Sequence, residues 1–365
     1  MESHKVRVGI THGDINGIGY EIIFKTFAEP AMLELCTPVV YGSPKVAAYH
    51  RKAIDSSVTF NTVETAGDAE SGKLNLVECF SEEVKIDFGR ATLESGRAAF
   101  LSLERAVADY KAGLIDVIVT APINKNDIQS EHFHFPGHTE YFEDRVGNGG
   151  KALMILANSL MRIALATMHM PLRGVAQALT VDGLVSKLRI FHHSLHADFG
   201  ISLPRIAVLA LNPHASDGGL LGNEEADVIA PAVKAANEAG IPCFGPYAAD
   251  GFFGAGLYRR FDGVLAMYHD QGLAPFKAMS MDDCINFTAG LPLVRTSPDH
   301  GTAYDIAGQG CASENSFRQA VYSAIDIWRN RKADVEAHAN PLRRQSNTDR
   351  KDDEARKKTS QSAEE

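Results

Sequence analysis

The sequence predicts an α/β fold with doubly wound layers. Short apolar runs alternate with helix-period segments along most of the chain, and the unusual polar residues cluster just after the apolar runs. With 365 residues, 45% of them hydrophobic, the chain has room for two domains of roughly 100–200 residues each. Strands are predicted over 6–11, 37–41, 116–120, 153–157, 163–168, 205–211 and 263–267. The clearest helix lies over 93–112, where Ala99, Leu101, Leu103, Ala106 and Val107 mix with charges at helical spacing. Segments 224–239 and 313–329 read the same way, and 140–146 reads as a short helix after a glycine turn. This alternation is the pattern of parallel strands joined by crossover helices. From about 340 to 365 the chain interleaves charged and small polar residues with almost no large apolar one, so burial cannot offset ordering entropy and a disordered tail is expected.

Composition excludes several classes of function. A net charge of −10 argues against a nucleic-acid backbone or an anionic membrane surface as partner, since both require a basic face. The five cysteines are scattered and lack the close pairs of zinc ribbons or disulfide frameworks, which suits a reducing cytoplasm. The amino terminus runs into the first strand without a signal-like apolar region, and no apolar run approaches the roughly 18 residues of a membrane span.

Polar residues gather where an open α/β sheet places its ligands, at the carboxyl ends of strands. Three segments share one design, an apolar strand ending in histidine: 164–171 with His169, 207–215 with His214, and 264–271 with His269. Neighbouring parallel strands bring such ends together. Imidazole suits zinc, cobalt, nickel and manganese, and three histidines leave coordination positions open for a substrate oxygen. A lone histidine is more often a loop or packing residue; three at strand ends favour a shared metal site.

A second group suits an anion. Pro136-Gly137-His138-Thr139-Glu140 turns into a helix whose first amides and hydroxyl can meet a phosphate. Lys277, Asn286 and Arg295 add cations and a donor within apolar, Gly/Pro-punctuated stretches. The first turn, 11–19, follows a strand and precedes a helix but is not Gly-x-Gly-x-x-Gly; no dinucleotide fingerprint occurs, and no cofactor-binding residue is assigned. His192, His193 and His196 share one helix without the glutamate of the hydrolase motif and read as a solvated face.

Taken together, these residues resemble the 4-hydroxythreonine-4-phosphate dehydrogenase family of pyridoxal phosphate biosynthesis over about residues 5–332. The likeness is carried by Gly13-Asp14, Gly17-Ile18-Gly19 and Glu21, by 120–125, by 137–140, by the three histidine segments and by 295–302. The resemblance implies His169, His214 and His269 as metal ligands and His138, Thr139, Lys277, Asn286 and Arg295 as substrate contacts. It implies a two-domain α/β/α fold like that of isocitrate and isopropylmalate dehydrogenases, which bind nicotinamide cofactors without the glycine fingerprint, with the active site in the interdomain cleft. The first domain would be 1–128 plus 303–335 and the second 129–302, with the ligands shared across a homodimer. Ile15 and Tyr20 stand where the family often has prolines.

The implied reaction is NAD- or NADP-dependent oxidation of 4-phosphohydroxy-L-threonine to 2-amino-3-oxo-4-phosphooxybutanoate, which decarboxylates to 3-amino-2-oxopropyl phosphate. The metal is expected to be zinc, or else cobalt, magnesium, manganese or nickel. Asp250 and Asp270 are candidates for proton transfer or for supporting a ligating histidine. The alternatives are oxidation of 4-phospho-D-threonate or D-erythronate in sugar-acid catabolism, a metal-dependent aldolase or hydrolase, and a non-catalytic metal or metabolite binder.

Overall fold

The structure is a computed structural model that describes residues 5–279 and 282–340; the tail expectation falls outside these apart from Asn340. In chain order the elements are β1 (Arg7–Thr11), α1 (Gly19–Phe27), α2 (Pro30–Leu35), β2 (Thr37–Gly42), α3 (Pro44–Ala53), β3 (Phe60–Val63), β4 (Leu74–Glu78), α4 (Leu93–Lys111) and β5 (Val117–Thr120). There follow α5 (His138–Val146), β6 (Leu153–Ala157), β7 (Arg162–Leu165), α6 (Val175–Ala178), α7 (Val181–Ala197), β8 (Ile206–Leu209), α8 (Ala230–Glu238) and β9 (Cys243–Tyr247). The series ends with α9 (Ala249–Gly254), β10 (Gly263–Ala266), α10 (His269–Met279), β11 (Ile285–Ala289), β12 (Arg295–Pro298) and α11 (Asn315–His338). The described residues up to Asn330 form one compact unit, and those from Arg331 to Asn340 belong to a second. No helix among the described residues is long and apolar enough to cross a membrane.

Among the described residues, the twelve strands belong to one sheet, ordered β3-β4-β2-β1-β5-β12-β11-β6-β7-β10-β8-β9. The α/β class is as the sequence predicts, but the sheet is mixed where the alternation predicted parallel strands. Strand β6 runs antiparallel to β7 and β11, and β11 antiparallel to β12. The reason is connection length: residues 158–161 and 290–294 are too few for a crossover, so each pair closes as a hairpin. Five strands were not predicted. β3 and β9 are sheet edges, and β9 carries Gly245-Pro246, a pairing tolerated at an edge. The predicted helix 224–239 opens as a π-turn, Glu225–Ile229, before α8.

Local chemistry fixes the strand ends that matter. Gly13 follows β1 with φ +71°, and a Cβ there would strike the Pro122 carbonyl, so only glycine fits the turn. The Asp14 amide donates to that same carbonyl at 2.8 Å, stitching the loop after β1 to the loop after β5. Thr92 caps α4 by accepting from the Ser95 amide at 3.1 Å. Behind the β1 turn, His12 and His50 are buried on either side of Tyr20, with ring centroids 5.1 and 4.9 Å from it. Burial drives His12 down to about 3 and His50 down to about 4, so both stay neutral in the folded protein while their unfolded counterparts take up protons near 6.5. The unfolded state then binds more protons, and stability is expected to fall as pH drops below about 6.5, by roughly 1.4 kcal/mol per pH unit for each histidine. Urea unfolding at pH 7.5 and 5.5 checks this; a flat profile would show that neither ring is held neutral.

Candidate active site

Three adjacent parallel strands, β7, β10 and β8, carry the three predicted histidines just beyond their carboxyl ends. The ends of β7 and β10 are tied together: Ala166 N–H donates to the Ala266 carbonyl at 2.8 Å, and the Thr167 hydroxyl to the Met267 carbonyl at 2.7 Å. Gln271 ties β10 to β8, accepting from the Met267 amide at 2.7 Å and donating to the Ala210 carbonyl at 2.5 Å. This bracing brings the His169 and His269 rings to 5.7 Å. Asp270 accepts from His269 Nδ1 at 2.7 Å, which orients the ring and leaves the lone pair on Nε2.

His214 is placed differently. Residues from His214 to Gly218 all have positive φ, between 46° and 67°, and His214 is exposed. Each non-glycine residue in this region costs about 1–2 kcal/mol, so the turn needs an anchor. Glu225 provides it, accepting from the Leu211 and Asn212 amides at 2.8 and 2.7 Å and from the Asn212 side chain at 2.9 Å. Among the described residues, no trio of ligand atoms within 4.8 Å includes the three histidines. The structure thus brings two of the three imidazoles together, His169 and His269, with His214 apart on the adjacent strand end; imidazoles are donors suited to a borderline divalent ion.

Beside the histidine pair lies a cavity of about 310 Å³ lined by His138, Thr139, His169, Lys277, Asn286 and Arg295, with Thr120, Lys125, Glu140, Ser297, Asp299 and His300. All five predicted substrate contacts therefore face one space. Helix α5 begins at its floor without a side-chain cap, so its first amides are free to meet an anion. Arg295 is 2% exposed, and its guanidinium donates to Thr120 Oγ1 from Nε at 3.2 Å and Nη2 at 2.6 Å, and to Thr288 Oγ1 from Nη1 at 3.3 Å. Burial lowers Arg295 to about 9, opposed by the charge of Glu140; the side chain is still a cation at neutral pH. Lys277, two turns along α10 from His269, pairs with Asp299 at 3.1 Å.

Three buried polar atoms around this space, His138 Nε2, Asn286 Oδ1 and His300 Nε2, have no hydrogen-bond partner. Such atoms are costly unless a ligand or water meets them. Burial, followed by the charges of Arg295 and Lys125, holds His138 well below 6.5, so its ring is neutral. His300 Nδ1 lies 3.0 Å from the Gly301 carbonyl, which requires the proton on Nδ1 and leaves the lone pair on Nε2. Asp250 and Asp270 stand outside the cavity lining: both are exposed, Asp250 in the first turn of α9 and Asp270 against His269. If His269 ligates zinc, Asp270→Asn is expected to weaken that binding by roughly 10–100-fold; competition with a chromogenic chelator measures it, and unchanged affinity would remove Asp270 from the site.

Sequence reasoning missed Thr120, Thr288, Ser297 and His300. The signal for one of them, Thr288, was present: Ile285, Phe287 and Ala289 alternate with Asn286 and Thr288, the period of a strand with one apolar face.

The pyridoxal phosphate biosynthetic protein PdxA family matches residues 34–324. A 4-hydroxythreonine-4-phosphate dehydrogenase of Bacteroides thetaiotaomicron is 62% identical over 345 residues, covering 94% of this chain and 95% of the relative. That of Prosthecochloris aestuarii is 42% identical over 330 residues, covering 88% and 97%. The crystal structure of 4-hydroxythreonine-4-phosphate dehydrogenase from Klebsiella pneumoniae superposes with a TM-score of 0.77 at 32% identity, covering 90% of this chain and 99% of that one. The chain, an oxidoreductase, therefore belongs to the PdxA family of pyridoxal phosphate biosynthetic proteins.

Proposed function

We propose that the chain oxidises 4-phosphohydroxy-L-threonine with NAD or NADP to 2-amino-3-oxo-4-phosphooxybutanoate, a β-keto acid that loses carbon dioxide to give 3-amino-2-oxopropyl phosphate. The observation that carries this reading is Arg295, a buried cation hydrogen-bonded to neutral hydroxyls and facing a cavity beside the His169–His269 pair. It supports an anion site next to the histidine pair that would activate a hydroxyl. Arg295, Lys277 and the uncapped first turn of α5 hold the phosphate, with His138, Thr139 and Asn286 completing its contacts. Binding energy gathered at that remote group fixes the carbinol carbon for reaction. His169, His214 and His269 would hold zinc, or cobalt, magnesium, manganese or nickel, which supplies Lewis acidity at the hydroxyl being oxidised.

Residues 1–128 with 303–335 form one domain in this reading and 129–302 the other, the boundary falling between β5 and β12 in the sheet. The cavity takes Thr120–Lys125 from the first and its remaining lining residues from the second. A cytoplasmic homodimer sharing the metal ligands fits the outward placement of His214.

The test is NAD(P)H formation by zinc-reconstituted protein on 4-phosphohydroxythreonine, 4-phosphothreonate and 4-phosphoerythronate. The expected result is a kcat/KM preference for the first. A preference for either sugar acid would reassign the substrate, and turnover without NAD(P)H would point to an aldolase or hydrolase.

A further inference from the structure

We propose that Thr120 and Thr288 are positioning residues that fix the Arg295 guanidinium for the substrate phosphate while adding no countercharge of their own. This inference rests on the phosphate-site reading given above.

The arrangement follows from the sheet. Strand β12 lies between β5 and β11. Thr120 ends β5, and Thr288 stands one step beyond the Phe287–Thr296 pair of the antiparallel ladder, which sets it opposite Arg295. Hydroxyls thus reach the guanidinium from both flanking strands, and both threonines are fully buried. Nε and Nη2 converge on one oxygen, Thr120 Oγ1, at 3.2 and 2.6 Å, and Nη1 reaches Thr288 Oγ1 at 3.3 Å. A guanidinium carries five N–H groups, so some remain for a ligand in the cavity that Arg295 lines.

The kind of partner decides the consequence. A buried arginine usually meets a carboxylate, which cancels its charge and competes with any incoming anion. A hydroxyl accepts the hydrogen bonds yet adds no charge. The planar group is therefore oriented without a hydrogen-bonded countercharge, in a setting where burial disfavours the cation more than the charge of Glu140 favours it. Phosphate is the species that relieves this, and the threonines determine how well the fork meets it. Simple packing of two small side chains predicts no effect on phosphate affinity once the fold is intact.

The test compares Thr120→Val, Thr120→Ser, Thr288→Val and Arg295→Ala in the full chain. Each variant is titrated calorimetrically with inorganic phosphate as probe, and kcat and KM are measured for the phosphorylated substrate. Thr120→Val is expected to raise the phosphate Kd and the KM about tenfold with kcat within about threefold, since a correctly held substrate still reacts. Thr120→Ser keeps the oxygen and is expected to restore both constants to within about threefold of the parent. Thr288→Val, which removes the longer single bond, is expected to raise them about threefold, and it keeps the test open if Thr120→Val does not fold. If Arg295→Ala loses phosphate and neither valine variant does, the positioning role is overturned while the phosphate site stands. If Arg295→Ala binds phosphate as the parent does, the phosphate-site reading itself falls. Failure of Thr120→Ser to rescue a folded Thr120→Val defect would assign the effect to packing and overturn the proposal.

Discussion

His214→Ala is expected to lower turnover by roughly 10³-fold, about 4 kcal/mol of transition-state stabilisation, and to lower the bound zinc per chain, with almost no change in the unfolding temperature of the metal-free protein. The pairing of a large functional loss with a negligible structural one follows from where the side chain sits. His214 is exposed, in a left-handed turn held by Glu225 through the backbone of Leu211 and Asn212 rather than through the imidazole. Exposed substitutions away from caps and networks change stability by about 0.5 kcal/mol or less. Elemental analysis, NADH absorbance and calorimetry on chelator-treated protein check the three parts. Retained turnover with a full complement of zinc would exclude His214 as a ligand.

How much of this site the sequence revealed depends on the range of the physics involved. The strand-end histidines were legible because an apolar run followed by histidine is a local pattern, and β7, β10 and β8 do stand side by side and parallel. The substrate group was legible as residue types in the right order, and the cavity gathers His138, Thr139, Lys277, Asn286 and Arg295. The hairpin that unites three of the partners was not. Strands β11 and β12 are short and bounded by Gly290-Leu-Pro, so their alternation was read as a punctuated loop, and the pairing of Thr288 with Arg295 was invisible.

The left-handed run from His214 to Gly218 was hidden for a different reason. Four of its five residues are not glycine, and nothing local in Pro-His-Ala-Ser-Asp signals positive φ. It exists because Glu225, on the next turn, gathers the amides of Leu211 and Asn212. Asp250 and Asp270 illustrate the limit from the other side: proximity to a histidine in sequence placed Asp270 against the ring of His269, while Asp250 lies in an exposed helix turn outside the cavity lining. The partnerless Nε2 of His300 could be recognised only once its Nδ1 was seen against the Gly301 carbonyl.

Arg295→Met is expected to move stability and function in opposite directions. Replacing a buried cation that no carboxylate hydrogen-bonds by an apolar side chain of similar reach removes a desolvation cost that the charge of Glu140 offsets only in part, and replacing buried ionic groups by well-packed apolar ones ranges from neutral to stabilising by roughly 1–4 kcal/mol. The sign agrees with the ionisation: burial lowers Arg295 to about 9, far below its ordinary value, so the folded state carries the cost in full below pH 9 and sheds it progressively as pH rises from there toward the ordinary arginine range. At neutral pH the substitution removes all of it. The two threonine hydroxyls lose their donors and offset part of the gain, which places the expected increase toward the lower end, about 1 kcal/mol. The same change is expected to lower kcat/KM about 10³-fold, because a charge-assisted, desolvated phosphate contact is lost. Arg295→Lys recovers part of the activity and none of the geometry, since a point charge cannot serve Thr120, Thr288 and a phosphate together. Inorganic phosphate separates the two effects. It raises the unfolding temperature of the parent by mass action and leaves that of Arg295→Met nearly unmoved, so the stability order of the two proteins is expected to converge or invert as phosphate is added. A methionine variant that is less stable than the parent without phosphate would show that Arg295 is a structural cation whose charge is already met within the fold.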